Sequence, residues 1–111
     1  MIWNLFIDDE RFPPDDGRDW VIARSYGEAM REILGRGFPS YISFDHDLGE
    51  NQRTGYDIAK AMVENDMDFC NRDKRAIYTF SPNFSFYVHS QNPIGKANIE
   101  GLLNNYLKQR G

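Results

Sequence analysis

Residues 41–47, Tyr41-Ile42-Ser43-Phe44-Asp45-His46-Asp47, form a short apolar run that stops abruptly in ionisable side chains. A run this short, rich in aromatic and β-branched residues, predicts a buried strand over Tyr41 to Phe44. The same signature opens the chain, where Ile2 to Ile7 gives way to Asp8-Asp9, and it recurs where Phe84 to Val88 ends in His89-Ser90. Trp20 to Ala23 is a further short strand. Between these runs the pattern turns helical. Ser25 and Glu28 make an S-x-x-E capping box for a helix through about Leu34, with Tyr26, Ala29, Met30, Ile33 and Leu34 on its apolar stripe. Gly35 and Gly37 stop it. Thr54 is an N-cap for a helix from Gly55 to about Asn65, with Tyr56, Ala59, Met62 and Val63 facing inward. Asn92-Pro93 pairs an N-cap with proline at the first helical position, and Ile99, Leu102, Leu103, Tyr106 and Leu107 make the cleanest stripe in the chain. Glu10 to Gly17, with two prolines and a glycine, reads as a loop. Residues 66–84 read as a long connection, with extended character at Arg75 to Phe80.

Strands alternating with helices predict an α/β fold with a mainly parallel sheet. The 111 residues suit a single domain spanning 1–111. No apolar run approaches the ~18 residues of a membrane span, and the Met1-Ile2-Trp3-Asn4 start lacks the basic stretch of a secretory signal. Cys70, the one cysteine, makes neither an internal disulfide nor a cysteine metal cage, so a cytoplasmic setting is expected. A formal charge of −4 argues against an extensive nucleic-acid binding face. It leaves room for a nucleotide or an RNA end held by a few local groups.

In open parallel sheets, ligands bind outside the carboxyl ends of the strands. That rule gathers Asp8, Asp9, Asp45 and Asp47 at one crevice. Carboxylates so crowded either raise one another's pKa or hold a cation, and oxygen-only ligands favour magnesium or calcium. The same crevice receives both histidines of the chain, His46 and His89, each beside Asp or Ser. Two imidazoles can remove and donate a proton across a phosphodiester. Ser90, Asn92 and the free N–H groups near Ile94 and Gly95 make an anion cradle at a helix start. Gly95 would admit a phosphate close to the backbone, and Arg11 can offer it a guanidinium. The bland alternatives are loop capping for the aspartates, packing for the histidines and an ordinary surface position for Arg11.

Asp8-Asp9 after the first strand, then Asp47-Leu48 with Gly55 beyond, resembles the receiver domain of two-component response regulators. There the acidic pair holds magnesium and the later aspartate accepts a phosphoryl group. The set L-F-I-D-D-E-R (5–11), S-F-D-H-D-L-G (43–49), T-G-Y-D (54–57) and V-H-S-Q-N-P-I-G-K-A-N-I (88–99) is similar to the receiver-derived family called the cyclic-phosphate processing receiver domain. The resemblance implies a small, flavodoxin-like three-layer sandwich of about four strands, truncated relative to a full receiver. It implies action on a cyclic phosphate such as a 2′,3′-cyclic phosphate on an RNA end or nucleotide. By position, Asp8, Asp9, Asp45, His46, Asp47, His89, Ser90 and Asn92 match its polar motif residues. No lysine-proline pair of a fifth receiver strand follows, which weighs against phospho-relay signalling.

The first expectation is therefore a metal-assisted phosphodiesterase. His46, His89 and Asp47 would be its catalytic residues, Arg11, Ser90, Asn92 and Gly95 its substrate-binding ones, and Asp8, Asp9, Asp45 and Asp47 its magnesium ligands. The competing expectations are a module that binds a cyclic nucleotide or protein partner without cleavage, a regulator phosphorylated on Asp47, and a purely structural interaction protein.

Overall fold

Four parallel strands in the order β2-β1-β3-β4 carry the site. In chain order the elements are β1 (Asn4–Ile7), β2 (Trp20–Ala23), α1 (Tyr26–Arg36), β3 (Tyr41–Phe44), α2 (Gly55–Arg72), β4 (Ser85–Val88) and α3 (Pro93–Arg110). This computed structural model describes the backbone of residues 2–72 and 79–110, and the side chains of 2–68 and 79–109. The small, flavodoxin-like receiver architecture expected from the sequence is what the chain adopts.

The helix starts follow the capping chemistry. Ser25 Oγ accepts from the Glu28 N–H at 3.1 Å, and Glu28 returns the favour one residue early, accepting from the Arg24 N–H at 2.7 Å. Thr54 and Asp57 make a reciprocal box: the Thr54 N–H donates to Asp57 Oδ2 at 2.8 Å, and the Asp57 N–H donates to Thr54 Oγ1 at 3.3 Å. Asn92 Oδ1 accepts from the Gly95 N–H at 3.0 Å, closing the first turn of α3. Gly37 ends α1 at φ 86°, a conformation that disfavours any residue with a Cβ.

α2 runs seven residues past Asn65, where a connection was expected. The reason is an inverted pattern: Asp66 is buried and Met67 exposed, so the helical stripe is lost to inspection. Asp66 is accommodated because it accepts from the Thr79 hydroxyl, from the Phe80 N–H at 3.0 Å and from the Tyr106 hydroxyl. Most of the Arg75–Phe80 stretch, and the side chain of Cys70, lie outside the described residues.

The two faces of the sheet differ. β2–α1–β3 and β3–α2–β4 both advance across the sheet in one direction, so right-handed crossovers put α1 and α2 on the same face. There Leu5, Ile7, Ile42, Phe44 and Val88 pack with Ala29 and Ile33 of α1, Ile58 and Met62 of α2, and Ile99 and Leu103 of α3. Each such side chain, fully buried, stabilises the fold by roughly 1.5–3 kcal/mol. The β1-to-β2 step runs the other way, and the chain makes it with a loop. On that second face the third layer is the loop 8–19, and Phe6, although buried, lies outside the main core cluster.

Candidate active site

The strand register builds the site. Ile7 pairs with Phe44, and Phe44 with Val88. The ladder continues one residue further: the Asp45 N–H donates to the Ile7 carbonyl and the His89 N–H to the Phe44 carbonyl, each at 2.9 Å. Asp8, Asp45 and His89 therefore stand on one rung, at the carboxyl ends of three adjacent strands. Alternation sends all three side chains to the face opposite the helices.

His89 is held on three sides. Its Nε2 is 3.0 Å from Asp8 Oδ2, its Nδ1 is 2.7 Å from Ser43 Oγ, and its ring stacks on Phe6 at a centroid distance of 4.8 Å. An ionised carboxylate only accepts, so Nε2–H donates to Asp8, and Nδ1 shares the second hydrogen bond with the Ser43 hydroxyl. Asp8 Oδ1 accepts from the Glu10 and Arg11 N–H groups at 3.0 and 2.9 Å. Arg24 donates to the Asp8 carbonyl at 3.1 Å and to that of Arg11, pinning the loop to the strand end.

The environment drives the two buried carboxyls apart. Burial pushes Asp8 up, but the Arg11 and Glu10 N–H groups, with the hydrogen bond and charge of His89, outweigh it and hold Asp8 below the ordinary 3.8. Asp45 goes the other way: burial first, then the negative charge of Asp8, raise it above 3.8 against the pull of His89, the His46 N–H and Arg11. A divalent cation would relieve this repulsion. One ligand atom from each of Asp8, Asp45 and His89 lies within 4.8 Å of the others, a donor set that fits such an ion. With both ring nitrogens of His89 already engaged, the carboxylate oxygens of Asp8 and Asp45 are the ligands left to hold it.

Next to the rung is a polar cavity of about 410 Å³, whose walls include Arg11, Asp45, Asp47, Ser90 and Asn92. Asp47 is exposed (65%) and ties this wall together, accepting from His46 Nδ1 at 2.9 Å and from Asn92 Nδ2 at 3.3 Å. The hydrogen bond from His46 keeps Asp47 below its ordinary value against the opposing effect of burial, with Asn92 and the His46 charge adding to it.

The sequence model of the cyclic-phosphate processing receiver domain matches residues 3–105. The chain belongs to this family. Comparisons with curated proteins and with solved structures give no match.

This cyclic-phosphate processing receiver brings together some of the residues its sequence singles out, and separates others. Asp8, Asp45 and His89 meet on the rung; Arg11, Asp47, Ser90 and Asn92 meet at the polar cavity. Asp9 is exposed and outside the cluster of ligand atoms, as is Asp47. His46 borders neither this cavity nor its neighbour on the sheet face. A Cβ at Gly95 would come within 2.3 Å of His46 Cγ, so the glycine admits the imidazole ring close to the backbone of α3. Sequence reasoning missed Ser43 and Phe6. The signal was the strand alternation, which places both on the face of Asp45 and Asp8, in register with each other. Among the described residues, no helix is long and apolar enough to cross a membrane.

Proposed function

We propose that the protein is a phosphodiesterase that opens a cyclic phosphate, such as a 2′,3′-cyclic phosphate on a nucleotide or an RNA end. The observation that carries this reading is the Asp8–Asp45–His89 rung beside a cavity walled by Arg11, Ser90 and Asn92. In the reaction a water loses a proton and its oxygen bonds to phosphorus. One phosphorus–oxygen bond to the ribose then breaks, and the leaving oxygen takes up a proton, so that one water is added overall. His89 is the group we assign to proton transfer, with Ser43 and Phe6 fixing the plane of its ring. His46, the other histidine expected to act, steadies Asp47 and the start of α3. Arg11, the Ser90 hydroxyl and the Asn92 amide hold the phosphate oxygens. A divalent cation held by Asp8 and Asp45 would withdraw charge from those oxygens. Asp9 and Gly95 have no part in this assignment. The family's name, with its cyclic phosphate, supports the substrate class, and a cytoplasmic role in RNA processing is consistent with it.

One observation favours a second reading, a module that binds the cyclic nucleotide without opening it. Both ring nitrogens of His89 already have protein partners. Incubation with nucleoside 2′,3′-cyclic phosphates, with and without manganese or magnesium, followed by phosphorus NMR, separates the two. Conversion to a phosphomonoester supports the enzyme; shifted signals of intact ligand support the binding module.

A further inference from the structure

The face of the sheet opposite the helices continues from the rung into a second cavity of about 330 Å³, between the strands and the loop 8–19. Two residues back from Asp8, Asp45 and His89 the register aligns Phe6, Ser43 and Tyr87, and two further back it aligns Asn4, Tyr41 and Ser85, with Trp20 beside Asn4. Ser43 is a small side chain between two rings, so the sheet surface has a slot there. Tyr41 and Trp20 wall one end, their rings 5.7 Å apart, and Phe12 of the loop overhangs it. The loop is tied down at both ends, by Arg24 at Asp8 and Arg11, and by Asp16, which accepts from Trp20 Nε1 at 3.2 Å. Although the slot is aromatic, two of its residues face solvent, Tyr87 at 55% exposure and Phe12 at 76%.

We propose that this slot is a nucleobase site, so that the substrate is a nucleoside or RNA-terminal cyclic phosphate rather than a bare sugar phosphate. The inference rests on the cyclic-phosphate reading above and extends it. Its basis is continuity: Arg11 borders both cavities, so an aromatic slot and an anion-holding cavity meet at one guanidinium. A ligand that fills both has a flat ring at one end and a phosphate at the other. An apolar protein side chain would satisfy the slot but leave the anion cavity unused. Recognition is by ring faces. The Ser43 hydroxyl is committed to His89 and the Asp16 carboxylate to Trp20 and Arg18, so neither is available to read base edges. Stacking of this kind tolerates every base.

The test compares adenosine 2′,3′-cyclic phosphate with methyl riboside 2,3-cyclic phosphate, which lacks the base, by calorimetric titration and by ring-opening rate on the full chain. The expected result is binding of the adenosine compound about ten-fold or more tighter. Tyr87→Ala, at an exposed position, and Phe12→Ala should each shrink that preference without changing binding of the base-free compound. Equal affinities, a preference that survives both substitutions, or binding of neither compound would overturn the nucleobase site. If the preference holds but neither compound is opened, the phosphodiesterase reading falls and the base site stands. If both are opened with equal KM, the base site falls and the activity stands.

Discussion

His89 Nε2 lies 3.0 Å from Asp8 Oδ2, a contact between side chains 81 residues apart in sequence. Three parallel strands in register make that distance, because each ends its apolar run at the same rung and turns its first polar side chain to the same face. Asp45 stands between them, and it is the member of the rung that the fold holds at a cost.

That cost gives a first prediction. Burial and the Asp8 charge raise the Asp45 pKa above 3.8, so the folded protein binds this proton more tightly than the unfolded chain. Ionised Asp45 therefore destabilises the fold at neutral pH, and the penalty fades as pH falls through the folded-state pKa. Asp45→Asn should stabilise the cation-free protein by about 0.5–2 kcal/mol at pH 7. Thermal melts should show the gain disappearing near pH 4.

Asp8 carries the opposite sign. Its depressed pKa contributes stability that is fully present above 3.8 and lost as pH falls through the lower folded-state value. Asp8→Ala strands the Glu10 and Arg11 N–H groups and should cost about 2–4 kcal/mol at pH 7. Urea unfolding at pH 7 and pH 3 checks this: the gap between wild type and variant should narrow at the lower pH.

The rung should bind a divalent cation. Magnesium or manganese is expected to raise the melting temperature of the wild type and to leave Asp8→Asn and Asp45→Asn unmoved. The shift should weaken as pH falls and Asp45 takes up its proton, since the ion needs the carboxylate. An equal shift in all three proteins would place the ion elsewhere.

Two glycines test the framework behind the site. A Cβ at Gly55 would lie 2.0 Å from the Asp45 carbonyl oxygen, a backbone atom, whereas one at Gly95 meets only the His46 ring. Gly55→Ala should therefore cost the larger amount, about 3 kcal/mol, and Gly95→Ala about 1–2 kcal/mol. Chemical denaturation of the two variants side by side would reveal a reversed order.

Much of this is legible in the sequence. The three strand ends, the Ser25, Thr54 and Asn92 caps and the parallel α/β arrangement all follow from local chemistry, and the structure keeps them. The length of α2 was not legible, because Asp66 occupies a core position and Met67 an outer one. The site was half legible. Sequence places Asp8, Asp45 and His89 at strand ends, but only the register decides that Asp45, and not Asp47, stands beside Asp8. The role of Gly95 depends on where the His46 ring points, which no local pattern encodes.

The most direct test of the central claim is the rate of ring opening of a nucleoside 2′,3′-cyclic phosphate, followed by phosphorus NMR, for wild type, His89→Ala and His46→Ala. The rung account predicts that His89→Ala loses at least ~100-fold in turnover, while His46→Ala loses less than about ten-fold. Near-normal turnover in His89→Ala, or a loss confined to His46→Ala, would contradict it.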